Sequence, residues 1–138
     1  METESFDYEA LSLLYVEDDE ESRRFLRAAL EHKYPDLRVD VAGNGAEGLA
    51  MFQEHRHEIV ITDINMPVLD GIRMSSEIRL LEPKTNIIVL TGNSDARNMQ
   101  KSAALGIENY LLKPLKFLEL IKVLNGMMIP KQIVGIPA

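Results

Sequence analysis

Short apolar runs alternate with longer amphipathic segments along most of the chain. A run of four to eight apolar residues bounded by turn residues is typical of a buried strand. The segments between the runs repeat apolar residues every three or four positions, as does a helix that packs on one side. The pattern predicts strands at 11–16, 37–42, 59–63, 86–90 and 109–112, and helices at about 20–34, 46–55, 71–81, 95–105 and 116–127.

This strict alternation predicts an α/β fold, in which a parallel sheet carries helices on both faces. Connections between parallel strands are almost always right-handed, which leaves few possible topologies. The doubly wound, flavodoxin-like strand order 2-1-3-4-5 obeys this rule. The second strand alternates apolar and polar residues, so we expect it near an edge. The third is a β-branched, mainly apolar run up to Asp63, so we expect it to be buried on both sides.

The apolar periodicity also predicts which helix positions face the core. The histidine pair His55 and His57 flanks Arg56 at the end of the second helix, which indicates a solvated position. No ligand set is expected from these histidines and His32. The inward residues expected in the first two helices are Phe25, Leu26, Ala29 and Leu30, then Ala46, Leu49, Ala50 and Phe52.

Length and composition indicate one domain. We expect a lead-in at residues 1–9, a folded unit at 10–128 and a tail or linker start at 129–138. The chain has no cysteine, so thiolate metal sites are excluded and a reducing cytoplasmic location is expected. No apolar stretch is long enough to span a membrane. A net charge of -7 argues against direct nucleic-acid binding.

Polar residues follow four of the five predicted strands. Parallel strands end at one edge of the sheet, where open α/β folds bind ligands. Each residue also has a simpler explanation: Asp63 could cap a turn, the acidic run could open a helix, the threonine could be an N-cap, and the lysine could be an ordinary surface residue. Their arrival at one edge favours a shared site. The residues are Glu17, Asp18, Asp63, Thr91 and Lys113.

Three clustered carboxylates repel one another, and a hard cation such as Mg²⁺ relieves that repulsion. A carboxylate can also attack phosphorus to form an aspartyl phosphate. Phosphoryl transfer then needs positioning and neutralisation of charge on the phosphoryl oxygens. Lys113 and the Thr91 hydroxyl could supply part of that neutralisation.

The motifs together resemble the receiver domain of bacterial two-component response regulators, which includes chemotaxis receivers. The resemblance covers about residues 11–128. It rests on the acidic pair Glu17-Asp18, the stretch Asp63-Ile64-Asn65-Met66-Pro67 followed by Asp70-Gly71, Thr91, and Lys113-Pro114. It implies a phosphorylation-switched signalling protein rather than a turnover enzyme.

The resemblance also implies a role for each site residue. Asp63 would accept a phosphoryl group, and Glu17, Asp18, Asp63 and the backbone carbonyl of Asn65 would hold Mg²⁺, with Glu17 acting mainly through water. Thr91 and Lys113 would bind phosphoryl oxygens. Asn65 and Asn93 would tune phosphate lifetime, and the Lys113-Pro114 bond would be cis. Tyr110 would be the switch aromatic that moves with Thr91, which is favoured over the alternative of an ordinary half-buried strand residue.

Two positions depart mildly from the family pattern. Glu17 stands where many members have aspartate, which could alter the Mg²⁺ geometry, and Gly92 stands where alanine is usual, which loosens the loop.

Rival interpretations concern other motifs. The stretch 43–48 is formally G-x-G-x-x-G, and Asp63 lies 20 residues after Gly43, as in a dinucleotide fingerprint. This stretch follows an expected edge strand and leaves the carboxyl-edge cluster unexplained, so a helix-opening turn is favoured. An aspartyl-phosphate hydrolase of the haloacid-dehalogenase type needs a second acid two residues after Asp63, where Asn65 stands. A receiver-shaped interaction module with a dead site is disfavoured because the phosphorylation residues are all present.

The resemblance implies a histidine kinase or phosphotransfer protein as phosphodonor. The downstream partner or fused output domain is not encoded in the motifs. The face formed by the fourth helix, fifth strand and fifth helix would change its partner affinity, and it could also pair two copies as a homodimer.

Overall fold

The structure, a computed structural model, describes residues 11–92, 96–107 and 109–128. No helix in these ranges is long and apolar enough to cross a bilayer. The strands are β1 (Ser12–Val16), β2 (Arg38–Ala42), β3 (Ile59–Asp63), β4 (Asn86–Thr91) and β5 (Asn109–Leu112). The helices are α1 (Glu20–Lys33), α2 (Gly45–His55), α3 (Gly71–Leu81), α4 (Ala96–Ala104) and α5 (Phe117–Met127).

The five strands form one parallel sheet in the order β2-β1-β3-β4-β5, so the predicted topology is confirmed. The strand with the alternating pattern, β2, is an edge strand. The third strand, β3, is the central strand and is buried along its whole length. The point where the strand order reverses lies between β1 and β3, so the ends of these two strands define the crevice.

Side-chain alternation along the strands divides the interior into two cores. Ile59 and Ile61 point to the face covered by α1 and α5, whereas Val60 points to the face covered by α2 and α3. The sheet is therefore covered by helices on both sides.

Helix caps fix the loops at the carboxyl edge of the sheet. The Asp19 carboxylate accepts a hydrogen bond from the Ser22 amide at the start of α1, at 2.9 Å. The Asp70 carboxylate accepts one from the Arg73 amide at the start of α3, at 2.8 Å. Each cap satisfies an amide that has no partner inside the helix. The loops after β1 and β3 are thus anchored by a strand at one end and by a capped helix at the other.

The helical periodicity placed three residues wrongly. Phe25 is 73% exposed, because the inward arc of α1 is narrow and is filled by the buried Leu26 and Leu30. The Phe25 ring instead lines a cavity of about 280 Å³ that Glu17 and Lys113 also line. In α2, Ala46 and Ala50 are exposed.

Glycines, rather than these alanines, form the inward face of α2. A Cβ on Gly45 would lie 2.0 Å from the Leu69 carbonyl oxygen, and one on Gly48 would lie 2.8 Å from Val16. The two glycines therefore let α2 approach the loop before α3 and the end of β1. The Asn44 side chain caps α2, so the G-x-G-x-x-G stretch is explained by packing and by a helix start.

The prediction for His57 was also wrong: the side chain is 1% exposed. Its Nε2 lies 2.7 Å from the Asp40 carboxylate on β2, and its ring stacks on Phe52 with a centroid distance of 6.2 Å. His57 lies just past the left-handed α2 C-cap, Arg56, and the chain there turns the imidazole inward.

Candidate functional site

Three carboxylates meet at the carboxyl edge of the sheet. Glu17 follows β1, Asp18 is the next residue, and Asp63 ends β3. Each offers an oxygen, and these oxygens all lie within 4.8 Å of one another. Glu17 and Asp63 are buried, whereas Asp18 is exposed. The predicted acid cluster is therefore present, with one side open to solvent.

Lys113 provides the positive charge of the cluster. Its Nζ lies 2.5 Å from Asp63 Oδ2 and 3.4 Å from Glu17 Oε1. Burial by itself lowers the pKa of Lys113, but the hydrogen bond to Asp63 and the charges of both acids outweigh burial, so the pKa is raised. Lys113 is consequently an ammonium ion at neutral pH, and the ordinary surface lysine is ruled out.

Glu17 is a buried carboxylate with only long contacts. Oε2 accepts a hydrogen bond from the Asp19 amide at 3.2 Å, and Oε1 lies 3.5 Å from the Tyr15 hydroxyl. Burial raises the pKa of Glu17, and the nearby charge of Asp63 adds to that increase. Burial likewise raises the pKa of Tyr15, which is therefore a neutral phenol. The environment of Glu17 favours a further cation.

The donor set fits a hard divalent cation. All ligand atoms in the cluster are carboxylate oxygens, which Mg²⁺ and Ca²⁺ prefer. One ammonium against three carboxylates leaves two negative charges uncompensated, which is the charge of one divalent ion. Within the described ranges this is the one group of three such residues close enough to share an ion.

The loop between β3 and α3 is held tightly around Asp63. The Ile64 amide donates to Asp63 Oδ1 at 2.7 Å, and the Gly71 amide donates to the Ile64 carbonyl at 2.9 Å. A Cβ on Gly71 would lie 2.0 Å from the Asp63 carbonyl, so this position requires glycine. Asn65 follows Ile64 and is exposed on the open side.

The same loop contains a strained turn. Val68 has a φ of 72°. On its two sides, the Leu69 amide donates a hydrogen bond to the Pro67 carbonyl at 2.8 Å. This is a γ-turn with positive φ, a rare conformation that is costly for a β-branched residue. The Val68 side chain is 80% exposed.

The remaining predicted residues lie on β4 and β5. Thr91 ends β4 and is buried, and its carbonyl accepts a hydrogen bond from the Lys113 amide at 2.8 Å. Tyr110 on β5 is half-buried, and its hydroxyl donates to the Ile107 carbonyl at 2.9 Å. The Lys113-Pro114 bond is cis, as expected. Asn93 lies outside the described residues.

One residue that contacts the site did not emerge from the sequence. Arg23 on α1 donates from Nη1 to the Glu17 carbonyl at 2.7 Å. The available signal was an arginine in the first turn of the helix that follows the acidic pair, but spacing alone does not distinguish it from Arg24.

Comparison with known proteins agrees with this geometry. The family described as the response regulator receiver domain matches residues 13–125. The chain is 35% identical to the chemotaxis protein CheY of Halobacterium salinarum over 78% of this chain and 88% of that protein. It is 32% identical to the transcriptional regulatory protein PcoR of Escherichia coli, of which it covers 47%.

A solved structure of chemotaxis protein CheY4 from Vibrio cholerae superposes with a TM-score of 0.77 at 28% identity, covering 86% of this chain and 98% of that one. A receiver domain protein from Clostridium thermocellum superposes with a TM-score of 0.79 at 29% identity, covering 86% and 94%. The fold, the edge cluster and the matched span lead to one conclusion: this chain belongs to the response regulator receiver domain family of two-component signalling proteins.

Proposed function

We propose that this chain is a phosphorylation-switched receiver in which Asp63 accepts a phosphoryl group in a Mg²⁺-dependent reaction. The contact that carries the proposal is the one between the Asp63 carboxylate and the Lys113 ammonium inside the three-acid cluster. A carboxylate at the switch-point edge, held beside a fixed cation, is arranged for charge-neutralised phosphoryl transfer.

The reaction has one bond-making and one bond-breaking event. An Asp63 carboxylate oxygen attacks phosphorus, and an acyl phosphate forms. The bond between phosphorus and the donor atom breaks, and its electron pair stays on that atom, which is an imidazole nitrogen in a phosphohistidine donor. Lys113 already lies at Asp63, so its ammonium can stabilise the charge on the phosphoryl oxygens.

Glu17, Asp18, Asp63 and the backbone carbonyl of Asn65 would hold the ion. When bound, Mg²⁺ supplies neutralisation of the carboxylate and phosphoryl charges. The chain itself fixes the positions of the acids. The Glu17 backbone amide donates a hydrogen bond to the Ala42 carbonyl at 3.0 Å. The Asp63 carboxylate accepts hydrogen bonds from the Ile64 amide and from Lys113.

The proposed phosphodonor is a histidine kinase or a phosphotransfer protein, because response regulator relatives imply such partners in general. Thr91 would bind a phosphoryl oxygen, and Tyr110 would move with it, as the link to the face formed by α4, β5 and α5. Asn65 and Asn93 would set the phosphate lifetime. If the amide resonances of α4, β5 and α5 stayed unchanged in the phosphorylated protein, the proposed conformational switch would be wrong.

The chemistry is tested by intact mass after incubation with acetyl phosphate. We expect wild type to gain one phosphoryl group in the presence of Mg²⁺ and none in the presence of EDTA, because the acid cluster stays repulsive without the ion. Asp63→Asn keeps the shape of the residue but removes the nucleophile, so it should gain none. A wild-type chain that takes up no phosphoryl group would instead be a receiver-shaped interaction module.

A further inference from the structure

The backbone of the acidic pair is anchored by a residue outside the acid cluster. The Arg23 guanidinium donates to the Glu17 carbonyl oxygen at 2.7 Å, which is shorter than the 3.2 to 3.5 Å contacts of the Glu17 side chain with Asp19, Tyr15 and Lys113. On the other side, the Glu17 amide donates to the Ala42 carbonyl at 3.0 Å. The peptide units on both sides of Glu17 are therefore held, one by the sheet and one by α1.

The position of Arg23 is itself fixed by the local structure. The Arg23 backbone amide donates a hydrogen bond to the Asp19 carbonyl at 3.0 Å in the first turn of α1. The Asp19 side chain caps the same turn. The guanidinium lies over Gly43, where an added Cβ would be 3.3 Å from Nη1. The side chain thus bridges α1, the end of β1 and the turn after β2.

We propose that Arg23 is a positioning residue for the metal site, which orients Glu17 and Asp18 by anchoring the Glu17 carbonyl. The inference rests on the proposed Mg²⁺-dependent function. Removing a residue that orients metal ligands without binding the metal itself typically lowers metal affinity 10- to 100-fold. Arg23 donates to a backbone carbonyl and not to a carboxylate of the cluster, so its effect should appear in Mg²⁺ affinity.

Charge and position predict opposite results for this arginine. Removing a cation near three carboxylates should strengthen Mg²⁺ binding by simple attraction. Removing an anchor should weaken it, because Glu17 and Asp18 then sample other orientations. The neighbouring Arg24 is exposed and has the same charge, so it is a matched control.

The test is a MgCl₂ titration at constant ionic strength, followed by calorimetry and by the amide resonances of residues 17–19. We expect Arg23→Met to raise the Mg²⁺ dissociation constant about tenfold, and Arg23→Lys, which keeps the charge and a donor, to give an intermediate value. Arg24→Met should leave the constant unchanged or lower it. Thermal unfolding without Mg²⁺ confirms that each variant is folded at the titration temperature.

A second variant tests the same contact from the other side. Gly43→Ala should push the guanidinium by a few tenths of an ångström and weaken Mg²⁺ binding by a smaller factor. In the Arg23→Met background it should have no further effect, because the two changes act through one contact. If Arg23→Met bound Mg²⁺ as tightly as Arg24→Met, the positioning role would be wrong. If wild type itself bound no Mg²⁺, the proposed function would fail instead.

Discussion

Lys113→Met is expected to slow phosphorylation by acetyl phosphate about 100-fold, which is the usual effect of removing one fixed donor to developing charge. The reason is that Lys113 is the cation already placed at Asp63, with Nζ at 2.5 Å. Methionine has a similar length but no charge, so packing of the stem is largely kept. The rate is measured by intact mass against time at saturating Mg²⁺.

The same variant should bind Mg²⁺ more tightly, because the ammonium no longer shares Glu17 and Asp63 with the ion. Without Mg²⁺ it should unfold at a lower temperature than wild type, since two buried acids lose their counter-charge. Added Mg²⁺ should restore much of that difference. Lys122→Met, an exposed change on α5, is the control. Equal phosphorylation rates for the two variants would show that Lys113 takes no part in the reaction.

Acidification is expected to destabilise the fold through His57. Burial lowers the pKa of His57, with His55 and Arg38 adding to the decrease, and the hydrogen bond to Asp40 only partly opposes it. The unfolded chain therefore takes up a proton near the usual histidine value of about 6.5, whereas the folded chain does so only at a lower pH. The contribution of neutral His57 to stability is therefore complete above a pH of about 6.5. It falls as the pH decreases below that value, by up to about 1.4 kcal/mol per pH unit.

Asp40 adds a second loss at lower pH. Burial alone raises the pKa of Asp40, but the hydrogen bond from His57 and the charge of Arg38 outweigh it, so the pKa is lowered. Its contribution is lost only as the pH falls through that lowered value.

Denaturant unfolding from pH 7 to 5 isolates the histidine when wild type is compared with His57→Gln. Glutamine keeps an N–H donor for Asp40 but does not titrate in this range. Wild type should lose more stability than the variant as the pH falls below the usual histidine value of about 6.5. Parallel pH profiles would show that His57 is not the source.

Topology was predictable because it rests on periodicity and chain connectivity. Once the order of the strands is known, Glu17, Asp63 and Lys113 must approach one another, although they are far apart in sequence. The structure added what periodicity does not contain, namely the distances, the burial of Glu17 and the direction of each side chain.

The errors have specific physical causes. Phe25 lies beside Leu26 on the helix, and apolar character alone does not say which of the two reaches the core. His57 looked solvated because it neighbours charged residues, yet its partner Asp40 lies on β2, 17 residues away. Arg23 was indistinguishable from Arg24 until its contact with a backbone carbonyl was visible. Each of these depends on tertiary packing.

The proposed phosphorylation of Asp63 is tested by locating the phosphoryl group. The acetyl phosphate product is reduced with borohydride, which converts an acyl phosphate into an alcohol, and is then mapped by peptide mass. We expect homoserine at position 63 alone, in wild type treated with Mg²⁺ and not in the EDTA control. Modification at Asp18 or at another carboxylate, with position 63 unchanged, would contradict it.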